Sequence, residues 1–370
     1  MTAADLGEFP LIDRLATILG VPSDPRCIIG IGDDAAAWAP TPDTITVATA
    51  DALVQGVHFD LATTSWLDLG WKAMAENVSD IAAMGCTPKY ALITLGLPPD
   101  QAVAGVEELY RGIAACASTY GFALVGGDVV RAPTVTLSVT LIGESLPRSR
   151  AEPPLLRRTT ARAGDIIAVT GPLGGSAAGL EILLDRTRTA SEGTDVWTRS
   201  DKSPPSTGAG DPPTSNTSPL DDRQTLVQTH LRPVPRVAAG RALVEAGIRC
   251  AIDISDGLLA DLGHICEQSQ IDAEVDVEHV PLFDAATRLV GAHRARQLAL
   301  SGGEDYELIC VAPVETMALA NQLLANRGEP PLHVIGRIVP RSGHHPEVRV
   351  LDVTGRPFPV GQRGYQHFTV

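Results

Sequence analysis

Acidic residues recur at predicted strand ends, beside glycine or other small residues. They lie in the segments GDD (32–34), TAD (49–51), GGD (126–128), DISDG (253–257) and GGED (302–305), and a further acid, Asp80, lies in the segment NVSD (77–80). One such junction is weak evidence, because aspartate is common in turns. Their number predicts that carboxylates gather at the C-terminal ends of strands, where open α/β sheets tend to hold ligands. Clustered carboxylates provide the oxygen ligands that Mg²⁺ prefers.

The lysines of the chain narrow the kind of phosphate chemistry that is expected. There are three of them, Lys72, Lys89 and Lys202, and none follows a glycine-rich loop. The P-loop pattern and the protein-kinase glycine loop with its strand lysine are therefore both absent from the sequence. If the protein handles ATP, divalent metal ions must neutralise much of the phosphate charge. The aspartates are the residues that would hold those ions.

Two further features carry less weight. The segment 171–176 (GPLGGS) can present backbone N–H groups at the start of a helix, which is a natural phosphate site, although glycine at such a turn is as often a matter of geometry. His58 follows Asp51 by seven residues and could reach the same site, although a lone histidine is more often incidental. The sequence contains no recognisable Ser/His/Asp arrangement and no Cys/His zinc spacing.

Composition and charge exclude several classes of protein. A length of 370 residues suits two domains, and the formal net charge of −15 argues against nucleic acid or an anionic membrane as a partner. The six cysteines are scattered, which favours reduced thiols in the cytoplasm. The N-terminus lacks the basic region of a signal peptide, and no apolar run approaches the ~18 residues of a membrane span. We therefore expect a cytoplasmic protein.

The order of predicted elements indicates an α/β (or α+β) fold in two domains, residues 1–147 and 148–370. In the first domain, the pattern predicts strands at 45–49, 90–97, 122–125 and 135–142, and helices at 11–19, 65–84 and 102–120. In the second, it predicts strands at 165–169, 250–254, 298–300, 306–311 and 333–338, and helices at 177–185 and 258–267. Residues 186–224 are dominated by Ser, Thr, Pro, Gly and Asp and are predicted to be a disordered insertion.

The ordered set of motifs resembles the thiamine-monophosphate kinase family. The motifs are GIGDDAA (30–36), TADALVQGVHF (49–59), ENVSDIAAMG (76–85), GGD (126–128), TGPLGGSAAGL (170–180), HLRPVPR (230–236), DISDGL (253–258), SGGEDYEL (301–308) and GYQHF (364–368). That family belongs to the superfamily of ATP-binding proteins related to aminoimidazole ribonucleotide synthetase. The resemblance implies a two-domain fold whose N-terminal domain pairs across a homodimer to close a β-barrel. It also implies that ATP, several Mg²⁺ ions and thiamine monophosphate bind to the protein.

The resemblance assigns roles to individual residues. The implied metal ligands are Asp34, Thr49, Ala50, Asp51, Asp80, Asp128, Asp253 and Asp256. The implied ATP contacts are Tyr110, Gly127, Asp128, Arg158 and Ser255, and the implied substrate contacts are His58, Glu304 and Tyr365. The family usually has Ser or Thr at position 50, so alanine there leaves only a backbone carbonyl for a metal. No catalytic base is expected, because the attacking phosphate oxygen is already ionised and direct in-line transfer needs only positioning and electrostatics.

Two alternatives stay open at this point. One is another ATP-dependent enzyme of the same superfamily, acting on an amide, formate-derived or selenium substrate. A selenophosphate-type enzyme would need a reactive cysteine near an N-terminal glycine loop, whereas Cys27 has a different setting, and Glu304 with the GYQHF segment favours the kinase. The other is a nucleotide sensor without catalytic activity, against which the presence of all six aspartates argues.

Overall fold

The computed structural model describes residues 1–148, 153–191, 219–361 and 363–365. The N-terminal half is built on a four-stranded sheet. Its elements, in chain order, are α1 (Ala3–Leu6), α2 (Glu8–Leu19), β1 (Cys27–Ile29), β2 (Ala37–Trp38), β3 (Thr46–Val54), α3 (Trp66–Ala83), β4 (Thr87–Leu97), α4 (Val103–Tyr120), β5 (Ala123–Arg131) and β6 (Thr136–Glu144). The sheet order is β3-β6-β4-β5, with β4 and β5 parallel and the other two pairs antiparallel. Strands β1 and β2 form a separate antiparallel pair.

The C-terminal half is built on a six-stranded mixed sheet. Its elements are β7 (Ile166–Val169), α5 (Gly175–Ser191), α6 (Pro219–Leu231), α7 (Val237–Ala246), β8 (Cys250–Asp253), α8 (Leu258–Ser269), β9 (Asp272–Asp276), α9 (Asp284–Ser301), β10 (Leu308–Ala312), α10 (Val314–Ala325), β11 (His333–Val339) and β12 (Val348–Leu351). The sheet order is β12-β9-β11-β7-β10-β8, and only β12 and β9 are parallel. The prediction of an α/β fold with two parts is confirmed.

Helix α3 is the element that connects the two halves. Its apolar residues pack into the core of the first half, together with those of α4. The two helices approach so closely that a Cβ on Gly70 would lie 2.0 Å from the Leu109 carbonyl oxygen. On the other side, α3 packs against α7, where a Cβ on Gly240 would lie 2.1 Å from the carbonyl oxygen of Ala82. Glycine at these two positions is what permits helix α3 to be buried from both sides.

The opposite face of the four-stranded sheet is open. Along β3, exposed residues alternate with less exposed ones, and Ala48, Ala50 and Ala52 are exposed. Thr49 and Asp51 point to the opposite face, toward α3, because successive strand residues alternate in direction. The sheet is thus covered by helices on one face only.

Two sequence predictions are wrong in detail. Residues 298–300 form part of helix α9 and not a strand, since a run of three apolar residues does not distinguish a strand from a buried helical segment. The predicted insertion is too wide, because residues 186–191 belong to α5 and residues 219–224 to α6. The rest of that prediction, residues 192–218, lies outside the described residues.

Within the ranges that the structure describes, no helix combines the length and the apolar character needed to span a bilayer.

Candidate active site

A cleft of about 1050 Å³ lies between the two halves of the chain. Its walls come from the end of β3 and the loop after it, from α3, from the loops after β8 and α9, and from the C-terminal segment. Eight of the predicted site residues line it, namely Asp51, His58, Asp80, Asp253, Ser255, Asp256, Glu304 and Tyr365. Residues that are up to 314 positions apart in the sequence, such as Asp51 and Tyr365, therefore face one space.

Three carboxylates from different elements form the acidic part of the cleft. Asp51 comes from β3, Asp80 from the last turn of α3 and Asp253 from the end of β8. The Thr49 hydroxyl donates a hydrogen bond to Asp80 Oδ2, and the Ser79 hydroxyl donates one to Asp253 Oδ2 at 2.7 Å. The carboxylates of the two halves are therefore held in place by the hydroxyl groups of neighbouring residues.

The negative charges of these three carboxylates repel each other. Burial, with a contribution from the charge of Asp80, raises the pKa of Asp51 to about 6 and that of Asp253 to about 7. Burial also raises the pKa of Asp80, although the Thr49 hydrogen bond and the charge of Arg158 act against this. A divalent cation would remove this repulsion, and a set of carboxylate and hydroxyl oxygens suits Mg²⁺. The chemistry of these oxygens therefore suits a magnesium ion, while the group of three described residues whose ligand atoms all lie within 4.8 Å of one another is Asp256, Asp261 and His264.

The loop after β8 is held by a single buried carboxylate. Asp261 Oδ2 accepts hydrogen bonds from the backbone N–H groups of Ser255, Asp256 and Gly257 at 3.1, 3.1 and 3.0 Å. Gly257 has φ +124°, and a Cβ there would lie 2.8 Å from the Ser301 carbonyl oxygen. The loop turns Ser255 and Asp256 toward the cleft for this reason.

The loop after α9 stacks on the loop after β8. The N–H of Glu304 donates to the Ser255 carbonyl at 2.8 Å, and that of Tyr306 donates to the Ile254 carbonyl at 2.9 Å. Glu304 and Tyr306 have positive φ angles, +65° and +51°. Residues other than glycine rarely adopt this backbone conformation unless their surroundings require it. Tyr365 joins the same assembly, since its N–H donates to the Asp256 carbonyl at 3.1 Å.

Three polar residues of the cleft were not predicted. Lys72 and Glu76 lie on α3 and His230 on α6. Burial raises the pKa of Glu76 to about 8, and Tyr306 shares a hydrogen bond with its carboxyl group. A signal was available in the sequence, because charged residues at positions 68, 72, 76 and 80 repeat every four residues and so form one stripe of an otherwise apolar helix.

Several other predicted site residues do not line the cleft. Asp34 and Asp128 are exposed, and neither Ala50 nor Gly127 lines the cleft. The packing of the sheet requires glycine at position 127, because a Cβ there would lie 2.0 Å from the Ile93 carbonyl oxygen. Arg158 is close enough for its charge to lower the pKa values of Asp80 and Asp253.

Tyr110, a predicted ATP contact, is buried in the core of the first half. Its side chain is 5% exposed and belongs to the core of the first half, where burial raises the pKa of its hydroxyl group. The role of Tyr110 as a nucleotide contact stays a prediction. Helix α4 buries this side chain in the core, together with Val106 and Ile113.

The start of α5, where the sequence suggested a phosphate site, is occupied by the side chain of Asp305. The backbone N–H groups of Gly174 and Ser176 donate to the two carboxylate oxygens of Asp305, at 2.7 and 3.2 Å. A helix N-terminus attracts negative charge, and the Asp305 carboxyl group occupies this one, although burial raises the pKa of Asp305 to about 7. The glycines of the segment allow close packing, since a Cβ on Gly171 would lie 2.3 Å from Glu307 Oε1.

Comparison with known proteins gives the class first. The family model described as "AIR synthase related protein, N-terminal domain" matches residues 32–145, and the model of the corresponding C-terminal domain matches residues 162–349. The chain is therefore an AIR synthase related protein. It is 36% identical over 342 residues to the thiamine-monophosphate kinase of Escherichia coli (strain K12), covering 92% of each chain. This chain belongs to the thiamine-monophosphate kinase family.

Solved structures agree with that family. The crystal structure of thiamine-monophosphate kinase from Stenotrophomonas maltophilia K279a is similar with a TM-score of 0.72 and 36% identity, covering 91% of this chain and 95% of the other. The structure of AaThiL complexed with AMPPCP and TMP is similar with a TM-score of 0.69 and 31% identity, covering 100% of this chain and 99% of the other.

Proposed function

We propose that this protein transfers the terminal phosphoryl group of ATP to the phosphate of thiamine monophosphate, which yields ADP and thiamine diphosphate. The observation that carries the proposal is the convergence of Asp51, Asp80 and Asp253, from both halves of a thiamine-monophosphate kinase family chain, on one cleft. The complex of AaThiL with the ATP analogue AMPPCP and with TMP supports both substrates.

Mg²⁺ is the cofactor that this cleft suits. Asp51, Asp80, Asp253 and Asp256 would hold it, with the Thr49 hydroxyl as a neighbouring oxygen. When bound, Mg²⁺ neutralises phosphate charge and orients phosphate oxygens. The predicted roles of Asp34, Ala50 and Asp128 as further ligands, and of Gly127, Arg158 and Ser255 as ATP contacts, remain part of the proposal.

The residues of the chain act by position and charge. Thr49 and Ser79 hold two of the carboxylates by hydrogen bonds, and Arg158 adds a positive charge near them. The acceptor phosphate is ionised at neutral pH, so no residue has to remove a proton from it. His58, Glu304 and Tyr365 are at the same cleft and would hold the acceptor. Transfer is direct, without a phosphorylated side chain.

A homodimer is the proposed assembly. The open face of the four-stranded sheet carries small side chains, with Ala48, Ala50 and Ala52 exposed on the edge strand β3, and Val130 is 42% exposed on the other edge strand β5. Two such sheets facing each other would bury these residues and cover both edges. Asp128, exposed on β5, would then lie near the second copy. The cytoplasm is the proposed location, in agreement with six cysteines that are all within the described residues and all free.

The test is an incubation with ATP, Mg²⁺ and thiamine monophosphate, followed by oxidation and fluorescence detection of thiamine diphosphate. We expect product with the wild-type chain, and a loss of at least about 100-fold in kcat for Asp80→Asn with circular dichroism unchanged, since charge stabilisation at such sites is large. Binding of ATP without formation of ADP would support a nucleotide sensor instead. A stable phosphorylated protein formed from ATP alone would contradict direct transfer.

A further inference from the structure

Lys72 is a buried cation on the wall of the cleft. Its side chain is 3% exposed, and its Nζ lies 2.9 Å from Glu304 Oε2 and 3.4 Å from His230 Nε2. Of the two lysines within the described residues, Lys72 and Lys89, only Lys72 lines the cleft. A buried ammonium group is costly unless it is paired, so the contact with Glu304 accounts for its presence there.

The hydrogen-bond partners define the state of His230. A lysine ammonium group can only donate, so His230 Nε2 accepts from Lys72 and the ring proton is on Nδ1. His230 Nδ1 lies 3.2 Å from Glu304 Oε2 and 3.0 Å from the Ser176 hydroxyl. Burial, with the charge of Lys72, lowers the pKa of His230 to about 4, so the ring is neutral. The Nδ1–H group therefore donates a hydrogen bond to the Ser176 hydroxyl, and the same nitrogen lies close to Glu304 Oε2.

Lys72 and His230 thus contact the same oxygen of Glu304. The Lys72 ammonium group holds Oε2, and Oε1 is the second carboxylate oxygen of a side chain that lines the cleft. The Glu304 side chain is 30% exposed, at the cleft, while Lys72 and His230 are 3% and 7% exposed behind it. The left-handed backbone at Glu304 and its N–H contact with Ser255 hold the residue from the other side.

We propose that Lys72 and His230 are positioning residues for recognition of the acceptor. They hold Oε2 of Glu304, so that Oε1 faces the cleft and accepts a hydrogen bond from the amino group of an aminopyrimidine. This inference rests on the proposed function and adds to it the group of thiamine monophosphate that Glu304 reads. Lys72 itself is too well covered to contact a ligand, so its effect reaches the acceptor through Glu304.

The test compares Lys72→Met with Lys89→Met, the same change at a lysine outside the cleft. We expect Lys72→Met to raise the KM for thiamine monophosphate roughly 10- to 100-fold, the effect of losing a charge-assisted hydrogen bond. The kcat should change by less than about threefold and the KM for ATP should not change, because only uniform binding of the acceptor is lost. Lys89→Met should resemble the wild type.

A double-mutant cycle separates positioning from a general structural effect. If Lys72 acts through Glu304, the KM of the double variant Lys72→Met/Glu304→Gln should equal that of Glu304→Gln alone. The analogue of thiamine monophosphate with an oxo group in place of the amino group should bind less well to the wild type, and Lys72→Met should narrow that difference. His230→Asn provides a second, smaller perturbation with the same pattern if Lys72→Met does not fold.

The pH profile provides an independent readout. The charges that face Glu304 come from Lys72 and Glu76 on α3, His230 on α6, His58 after β3, and Tyr306 on its own loop. Burial alone would raise the pKa of Glu304, but Lys72 and then His230 lower it below its usual range. Without Lys72 the carboxylate takes up a proton more readily. The KM of Lys72→Met should therefore rise as the pH falls from 7 to 5, more steeply than that of the wild type.

The outcomes are distinct. Two results would overturn the positioning role and leave the proposed function intact, provided that the wild type turns over. One is that Lys72→Met and Glu304→Gln have additive effects on the KM for thiamine monophosphate. The other is that Lys72→Met and Lys89→Met have equal effects on it. An equal loss of kcat and of ATP affinity in Lys72→Met also overturns it. A wild-type protein that makes no thiamine diphosphate overturns both proposals.

Discussion

Replacing Asp253 by asparagine should stabilise the metal-free protein while it abolishes activity. Asp253 is 3% exposed at the end of β8, and burial with the charge of Asp80 raises its pKa from 3.8 to about 7. A shift of this size corresponds to about 4 kcal/mol of unfavourable free energy in the ionised folded state. Asparagine keeps an acceptor for the Ser79 hydroxyl, but its amide N–H groups need new partners, at a cost of about 1–2 kcal/mol. We expect a net gain of about 2 kcal/mol at pH 8.

The sign with pH follows from the raised pKa. Between pH 4 and pH 7 the folded state binds more protons than the unfolded state, so the free energy of unfolding of the wild type falls as the pH rises. The advantage of Asp253→Asn should therefore shrink as the pH is lowered from 8 to 5. Urea unfolding in the presence of EDTA, followed by tryptophan fluorescence, measures both values.

Asp272 provides the matched control, because it is a fully buried aspartate of the same sheet with the opposite property. Burial would raise its pKa, but hydrogen bonds from Ser342 and Glu347 lower it below the usual range. Asp272→Asn should therefore destabilise the protein at pH 8, by about 1–3 kcal/mol. If Asp253→Asn destabilises the metal-free protein as much as Asp272→Asn does, our account of the acidic part of the cleft is refuted.

Three further changes should have measurable effects. Glu76→Gln should stabilise the protein more at pH 9 than at pH 5, because between the usual pKa of 4.5 and the raised value of about 8 the folded state keeps a proton that the unfolded state has released, so the wild type loses stability over that range; thermal unfolding at the two pH values tests this. Gly127→Ala should destabilise the chain by more than about 2 kcal/mol, since the added Cβ meets the Ile93 carbonyl at 2.0 Å, and normal stability in urea would contradict this. Asp305→Ala should lower the free energy of unfolding by about 1 kcal/mol at pH 5, because it removes the acceptor for the Gly174 N–H at the start of α5, and the loss should shrink at pH 8, because burial raises the pKa of Asp305 to about 7; equal urea midpoints at pH 5 would argue against capping.

Much of the fold could be predicted from the sequence because the long elements have clear periodicity. Helix α3 was expected at 65–84 and occurs at Trp66–Ala83, and α4 was expected at 102–120 and occurs at Val103–Tyr120. The prediction of a strand at 298–300 was wrong, because three apolar residues fit a strand and a buried helical segment equally well. The residues belong to helix α9. The division into domains at residue 147 stays a prediction.

The sequence predicted eight of the residues that line the cleft, but not Lys72, Glu76 or His230. A strand end with aspartate is visible in the sequence, and Asp51 and Asp253 do face one cleft. Lys72 and His230 could not be chosen from sequence alone, because their roles depend on a contact with Glu304 across more than seventy positions. For the segment 171–176 the sequence left a phosphate site and a purely geometric role of the glycines open, since nothing local reveals that Asp305 accepts hydrogen bonds at the helix start.

The stripe of polar residues along α3 links the two halves of the chain. Three of its members contact the C-terminal half, Asp68 with Arg232, Lys72 with Glu304 and Glu76 with Tyr306, and Ser79, beside the fourth member, contacts Asp253. A helix that belongs to the core of one half and is bonded along its length to the other couples the two halves. Any displacement of one half relative to the other would have to break these contacts, which include the one that holds Glu304 at the cleft.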